Sequence, residues 1–274
     1  MHGRQGAREM DRRHGASLAE VIAFPLSATA RARWLVIAAL LLLIEFMTRE
    51  CIRLVTSADG RLTVLGAMAT VLTVLVAAGG FAFTAACAMA VVRDTANGCD
   101  AIVNWPGVAF MEWAGDALFV VNGICISVAA GMGLGWALQQ GGVRIDGAVV
   151  GGCLATFVLF PIVMLSLLEN ESAFDVVSPP VWRTFALAPG GWIRFYLVAG
   201  VVAALAGLLV AVAWSSPSPW LLVAVNLAWS GLGLVLCRLM GRLALCCAQR
   251  AAAAARRAEA AVEIDDSSDD DESG

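Results

Sequence analysis

Lysine is absent from this sequence, and its two histidines, His2 and His14, both lie near the start. No segment long enough to cross a bilayer contains either residue, so a lysine Schiff base and an imidazole ligand are excluded from any membrane interior the chain forms. Charge is scarce: 15% of residues, against about a quarter in an average soluble domain. That composition argues against a soluble globular fold. The apolar runs are continuous and do not alternate with polar residues, which argues against an outer-membrane barrel. There is no G-x-S-x-G, no H-E-x-x-H and no pair of intramembrane aspartates, so a hydrolase or intramembrane protease has no recognisable nucleophile or metal. A P-loop, an EF-hand spacing and a His–carboxylate set for a redox metal are missing too. The cysteines, Cys51, Cys87, Cys99, Cys125, Cys153, Cys237, Cys246 and Cys247, fit neither a disulfide framework nor a zinc site. Most fall in apolar runs, where a thiol packs as a small apolar group. Cys246 and Cys247 lie near a membrane boundary, where lipidation is the alternative to packing. These absences leave no catalytic motif, no cofactor and no metal ligand set to expect.

What is present is apolar length. The chain has 274 residues, 60% of them hydrophobic, and a mean hydropathy of +0.80. Its apolar runs reach the ~20 residues that a helix needs to cross a hydrocarbon core ~30 Å thick. The expected fold is all-α: a polytopic transmembrane helical bundle of about six spans, with surface helices in two cytoplasmic loops. The first span begins near Trp34 and is short before Glu45. The others cover about 62–92, 117–138, 148–168, 192–214 and 220–239. The second is longer than a bilayer needs, so tilt, projection beyond the membrane or a bend at Gly79-Gly80 is expected. Pro161 sits inside the fourth, where neighbouring helices re-satisfy the freed carbonyl. The expected organisation is a basic cytoplasmic tail at 1–33, a membrane domain at 34–247, and an Ala/Arg helical extension with an acidic disordered tail at 248–274. Within the first tail, SLAEVIAFPL reads as a short surface helix ending at Pro25.

Six spans put both termini on one side. All eighteen basic residues are arginines. All but Arg49, Arg53, Arg61 and Arg144 share the side of the tails and of the two long loops. The positive-inside rule makes that side, with both termini, cytoplasmic. The lipid bilayer is the expected partner, with a membrane-protein partner or a second copy also in view. Nucleic acid is not expected, because Glu9, Asp11 and Glu20 interrupt the basic tail.

Between the second and third spans lies NWPGVAFMEWAGD. Its Pro-Gly pair breaks the chain, and the rest forms a helix leading into the third span. Glu112 and Asp116 fall on one face, Phe110 and Trp113 on another, as in a segment at the headgroups. The second long loop repeats the design, with Ser178 as helix cap, Pro179-Pro180 in the first turn, and Trp182 and Phe185 three apart. The segments VVRDTANGCD, NWPG and EWAGD, with ENESAFDVVSPPVWRTFALAPGGWIRFYL, resemble parts of an uncharacterised family of bacterial multi-spanning membrane proteins. The resemblance implies a bacterial membrane protein, which with cytoplasmic termini means a multi-pass protein of the inner membrane, and it assigns no chemistry.

Small residues four apart allow close helix packing in lipid. Gly123, Ser127, Gly131 and Gly135 mark one such stripe, and Gly147, Gly151 and Ala155 another, joined by a short turn into an expected antiparallel hairpin. Glu45, Arg49 and Arg53 form one helical stripe, read either as a self-neutralising pair or as a carboxylate on an ion path. Asn122 and Asn226 either hydrogen-bond across helices or line a polar pathway. Asp94, Asp100, Glu112, Asp116, Glu169, Glu171 and Asp175 concentrate in the two long loops. They are either solvated charge and helix caps or, if convergent, oxygen ligands for a divalent cation. The function expected is a non-catalytic structural or assembly component of the membrane; the alternative is a small-solute or ion transporter or channel.

Overall fold

A computed structural model describes residues 18–57, 60–107, 110–215 and 218–269. The first residues of the basic tail, with His2, His14 and Arg4 to Arg13, lie outside them, as does the acidic end from Asp270. Among the described residues there are helices and turns and no strand, so the all-α expectation holds. The elements are α1 (Leu18–Ile22), a 3-10 turn (Phe24–Leu26), α2 (Ala28–Val55), α3 (Gly60–Ala96), α4 (Phe110–Gln140), α5 (Ile145–Glu169), α6 (Pro179–Leu187), α7 (Pro189–Ser215) and α8 (Pro219–Asp269). The short helix expected to end at Pro25 stops at Ile22, and Pro25 lies within the 3-10 turn that follows. The helix expected after NWPG is the start of α4, which begins at Phe110, and not a separate element.

Helix ends follow local chemistry. Ser27 caps α2, its hydroxyl accepting from the Ala30 amide at 3.3 Å. α3 closes with Cys99 N–H donating to Asp94 O and Gly98 N–H donating to Thr95 O. Gly98 has φ +79° there, the left-handed conformation such an end requires. The same pair of bonds ends α4 at Gly142, φ +87°. At the end of α5 the left-handed position is taken by Glu171, φ 48°.

Among the described residues five helices are long and apolar enough to cross a membrane: Thr63–Ala96, Met111–Gln140, Ile145–Glu169, Pro189–Ala213 and Pro219–Arg257. They make this a membrane protein. The sequence led us to expect six. The missing one is α2, which has 28 residues but an uncharged run of only 34–44 between Arg33 and Glu45. That run covers roughly 16 Å at 1.5 Å per residue, about half a hydrocarbon core. The long second run is as expected: its 34 residues reach about 51 Å. It passes through Gly79-Gly80 as one helix. Its side chains from Val64 to Leu75 are largely exposed, whereas Ala85, Ala86, Cys87, Met89, Val91 and Val92 are buried.

The chain forms two compact units. One comprises Met1–Asp94, Cys99–Gly107 and Ala199–Leu239; the other comprises Thr95–Gly98, Val108–Val198 and Met240–Gly274. In the first, α2 is flanked on two sides. Against α3, Arg33 lies over the Phe83 ring at 6.0 Å, and Ile44 packs on Gly80. Further along, Cys51 Sγ is 3.1 Å from Thr73 Oγ1, and Val55 packs on Gly66. Rising numbers on one helix meet falling numbers on the other, so the two are antiparallel. Against α8, Phe24 of the preceding 3-10 turn meets Arg238, and within α2 Trp34 meets Leu227 and Gly231, and Glu45 meets Asn226. That order is antiparallel as well.

In the second unit, α4 and α5 form the expected hairpin. A Cβ on Gly135 would lie 2.8 Å from Ala148 O, one on Gly131 2.5 Å from Gly152 O, and one on Gly152 2.9 Å from Gly131 O. Gly123 lies against Met164. The α4 stripe is the one read from sequence. On α5 the contact face is one residue on from that read: Ala148, Gly152 and Thr156, with Gly151 touching Leu138. Thr156 Oγ1 also donates to Ser127 O across the hairpin at 3.3 Å. α6 docks on the start of α7: Phe185 stacks on Trp192 at 4.2 Å, and Trp192 on Tyr196 at 5.9 Å. The Trp192 indole donates to Thr184 Oγ1 at 3.1 Å, and the Tyr196 hydroxyl donates to Val158 O at 2.7 Å.

Candidate functional site

Two polar clusters form in the first unit and a third in the second. The first joins two residues singled out from sequence. Glu45 Oε1 accepts from Arg49 at 2.7 Å, and Glu45 Oε2 accepts from the Asn226 amide at 2.8 Å. Asn226 also donates to Leu222 O at 2.9 Å, and Ser230 donates to Asn226 O at 2.8 Å. One turn away, Trp34 Nε1 donates to Leu227 O at 2.9 Å. Both carboxylate oxygens of Glu45 are therefore engaged, one within α2 and one across to α8. The Glu45 side chain is one-third exposed and that of Arg49 about half, so the pair itself contributes no more than ~1 kcal/mol. The amide bond between helices adds about 0.6 kcal/mol on average for a membrane interior.

The second cluster holds the NWPG loop. Asp94 is 2% exposed. Its Oδ2 accepts from the backbone N–H of Val103 at 2.8 Å and of Asn104 at 3.0 Å, and its Oδ1 accepts from Asn104 Nδ2 at 2.8 Å. On the other side of the same loop, Arg238 of α8 is 5% exposed. It donates to Asp100 O at 2.9 Å and lies over the Phe24 ring at 4.4 Å, within cation–π range. The Asp100 carboxylate, 4.0 Å away, is 96% exposed, so the backbone bond and the ring hold this arginine rather than the ion pair. Loop Cys99–Gly107 is thus clamped between α3 and α8. Arg238 went unread in the sequence. Its signal is an arginine within the last expected span, four residues before Arg242.

In the third cluster, Asn122 of α4 donates to Ala173 O in the loop after α5. Asn170 at the end of α5 donates to Asp175 O at 3.0 Å. Of the loop carboxylates, Glu112, Glu169, Glu171 and Asp175 are exposed and Asp116 is half-buried. Glu171 serves as the left-handed residue that ends α5, and Glu169 is that helix's last residue. Among the described residues no three of His, Cys, Asp and Glu come together as a metal site would require. The convergence that a cation site needed is therefore not seen there. Cys247 is buried, and Cys246 lies against Gly191, which fits packing for both thiols. Ser178 precedes α6 but makes no capping bond through its side chain.

Chemically these clusters hold chain to chain. A carboxylate whose oxygens already accept from an amide, a guanidinium or backbone N–H groups is occupied as an acceptor. It joins elements of the fold. No family model, curated protein or solved structure matches the chain.

Proposed function

We propose that this chain is a six-span, non-catalytic component of the bacterial inner membrane, serving in its structure or assembly, with both termini cytoplasmic. The observation that carries this reading is the use made of the polar groups within the apolar helices. Glu45 and Asn226 engage each other, Asn122 holds a loop carbonyl, and Thr156 reaches across the hairpin to Ser127 O. Polar groups at membrane depth are costly unless they have partners, and here the partners are parts of the same chain.

The sixth span is α2. Its packing along α3 and α8 supports the reading: helices in contact from Arg33 to Val55 on one side and Gly66 to Phe83 on the other share one depth. The Glu45–Arg49 and Glu50–Arg53 pairs neutralise the outer half, and long arginine stems reach the headgroups. A second reading, transport of a small cation or proton, is favoured by the partial exposure of Glu45 between helices. Purification from native membranes in lipid nanodiscs, followed by native mass spectrometry, separates the two. Assembly predicts a stoichiometric protein complex that persists in Glu45→Gln. A bound solute that is lost in Glu45→Gln would contradict it and favour transport.

A further inference from the structure

α6 buries one apolar face and leaves a second one uncovered. At about 100° per residue, Val181, Thr184 and Ala188 fall together, and all three are buried. Phe185 beside them stacks on Trp192. The other side of the helix carries Pro179, Pro180, Trp182, Arg183, Ala186 and Leu187, all exposed. Three-residue spacing reads Trp182 and Phe185 as one face; the fold turns Phe185 onto α7 and leaves Trp182 49% exposed. An outer side facing water would be polar, yet Arg183 is its only polar side chain. Just before the helix, Phe174 and Val177 are exposed as well, at 75% and 62%. Among the described residues no carboxylate forms an ion pair with Arg183. This surface therefore calls for a cover that is apolar and that also supplies an anion.

Depth decides which cover. Ala188 alone separates α6 from α7, and α7 is long and apolar enough to cross a membrane from Pro189 onward. The Phe185–Trp192 stack at 4.2 Å and the Trp192–Thr184 bond at 3.1 Å hold α6 beside the first turn of that span. Trp192 stands only about 5 Å along the axis from Pro189, so α6 lies level with the edge of the hydrocarbon. Acyl chains and phosphates meet at that level, and tryptophan and arginine side chains suit it. We propose that α6 is a phospholipid-binding surface: Trp182 and Leu187 lie among the upper acyl chains, and Arg183, between them around the helix, binds a lipid phosphate. The ligand is a phosphate carried on apolar chains, since a free phosphate would leave Trp182 and Leu187 uncovered. The proposal needs α7 to cross the membrane and is independent of whether α2 does.

Full-length chain carrying fluorinated tryptophan, in nanodiscs of phosphatidylethanolamine and phosphatidylglycerol, tests the surface by fluorine NMR. The Trp182 resonance is the one of nine that Trp182→Phe removes. A phospholipid bearing a nitroxide high on its acyl chain is expected to broaden that resonance beyond detection. Its survival beside the nitroxide lipid would overturn the proposal. Water is then the cover if a soluble gadolinium chelate removes the signal, and a protein is the cover if the chelate leaves it too. The arginine is read separately, by native mass spectrometry of the chain released from the same discs. Arg183→Gln is expected to retain about fivefold less phosphatidylglycerol, whose phosphate carries that headgroup's only charge. Arg183→Lys keeps the positive charge and is expected to retain the wild-type amount. Wild-type retention in Arg183→Gln, or inorganic phosphate stripping the wild type of its lipid, would overturn the assignment of Arg183 to a lipid phosphate.

Discussion

Asp94 shows how one side chain organises a loop. Three N–H donors from Val103 and Asn104 meet its carboxylate, so removing it strands several donors at once. Stranding one buried donor costs about 1–3 kcal/mol, and partial hydration of these exposed residues sets the lower end. Asp94→Leu is therefore expected to speed amide hydrogen exchange in 99–107 about tenfold or more, each 1.4 kcal/mol being tenfold. Exchange unchanged there, with the helices still protected, would show that the clamp does not hold the loop. Sequence marked Asp94 as notable but not as a clamp, because its partners lie nine and ten residues on, in a loop whose return path has no periodicity to read. Glu171 was equally opaque: glycine usually takes the left-handed position at a helix end, and nothing in ENESA signals that a glutamate does. Glu45 and Asn226 were each marked, but not as partners, since 181 residues separate them.

The α4–α5 hairpin tests how far close backbone approach matters. Gly135→Val would drive its side chain into Ala148 O, 2.8 Å from where a Cβ would stand, and overpacking of that kind costs about 1–3 kcal/mol. Gly133→Ala on the same helix meets nothing within 4 Å and should gain up to about 1 kcal/mol from helix propensity. Unfolding of the two variants in detergent should thus shift in opposite directions; a common shift would remove the glycine contacts from the account. The α4 stripe was legible because its small residues repeat along the whole helix. The α5 face was misread by one residue, because that helix offers small residues in neighbouring registers. α6 was legible from its prolines and its Trp182–Phe185 spacing, whereas its docking on Trp192 depends on a fold-back that spacing alone does not give.

For the molecule as a whole, hydropathy made the membrane class plain and left one helix ambiguous. Among the described residues five helices qualify by length and apolarity; α2 does not, because six charges interrupt it in Arg31, Arg33, Glu45, Arg49, Glu50 and Arg53. Its depth rests on neighbours instead: antiparallel contact with α3 from Arg33 to Val55 and with α8 through Trp34 and Glu45. The topology and the depth of Glu45 both follow from whether α2 crosses. Reporter fusions at the two ends of the full chain, read for activity on each side of the inner membrane, test this most directly. Six crossings predict both reporters in the cytoplasm; one on each face would leave α2 on the surface and contradict the account.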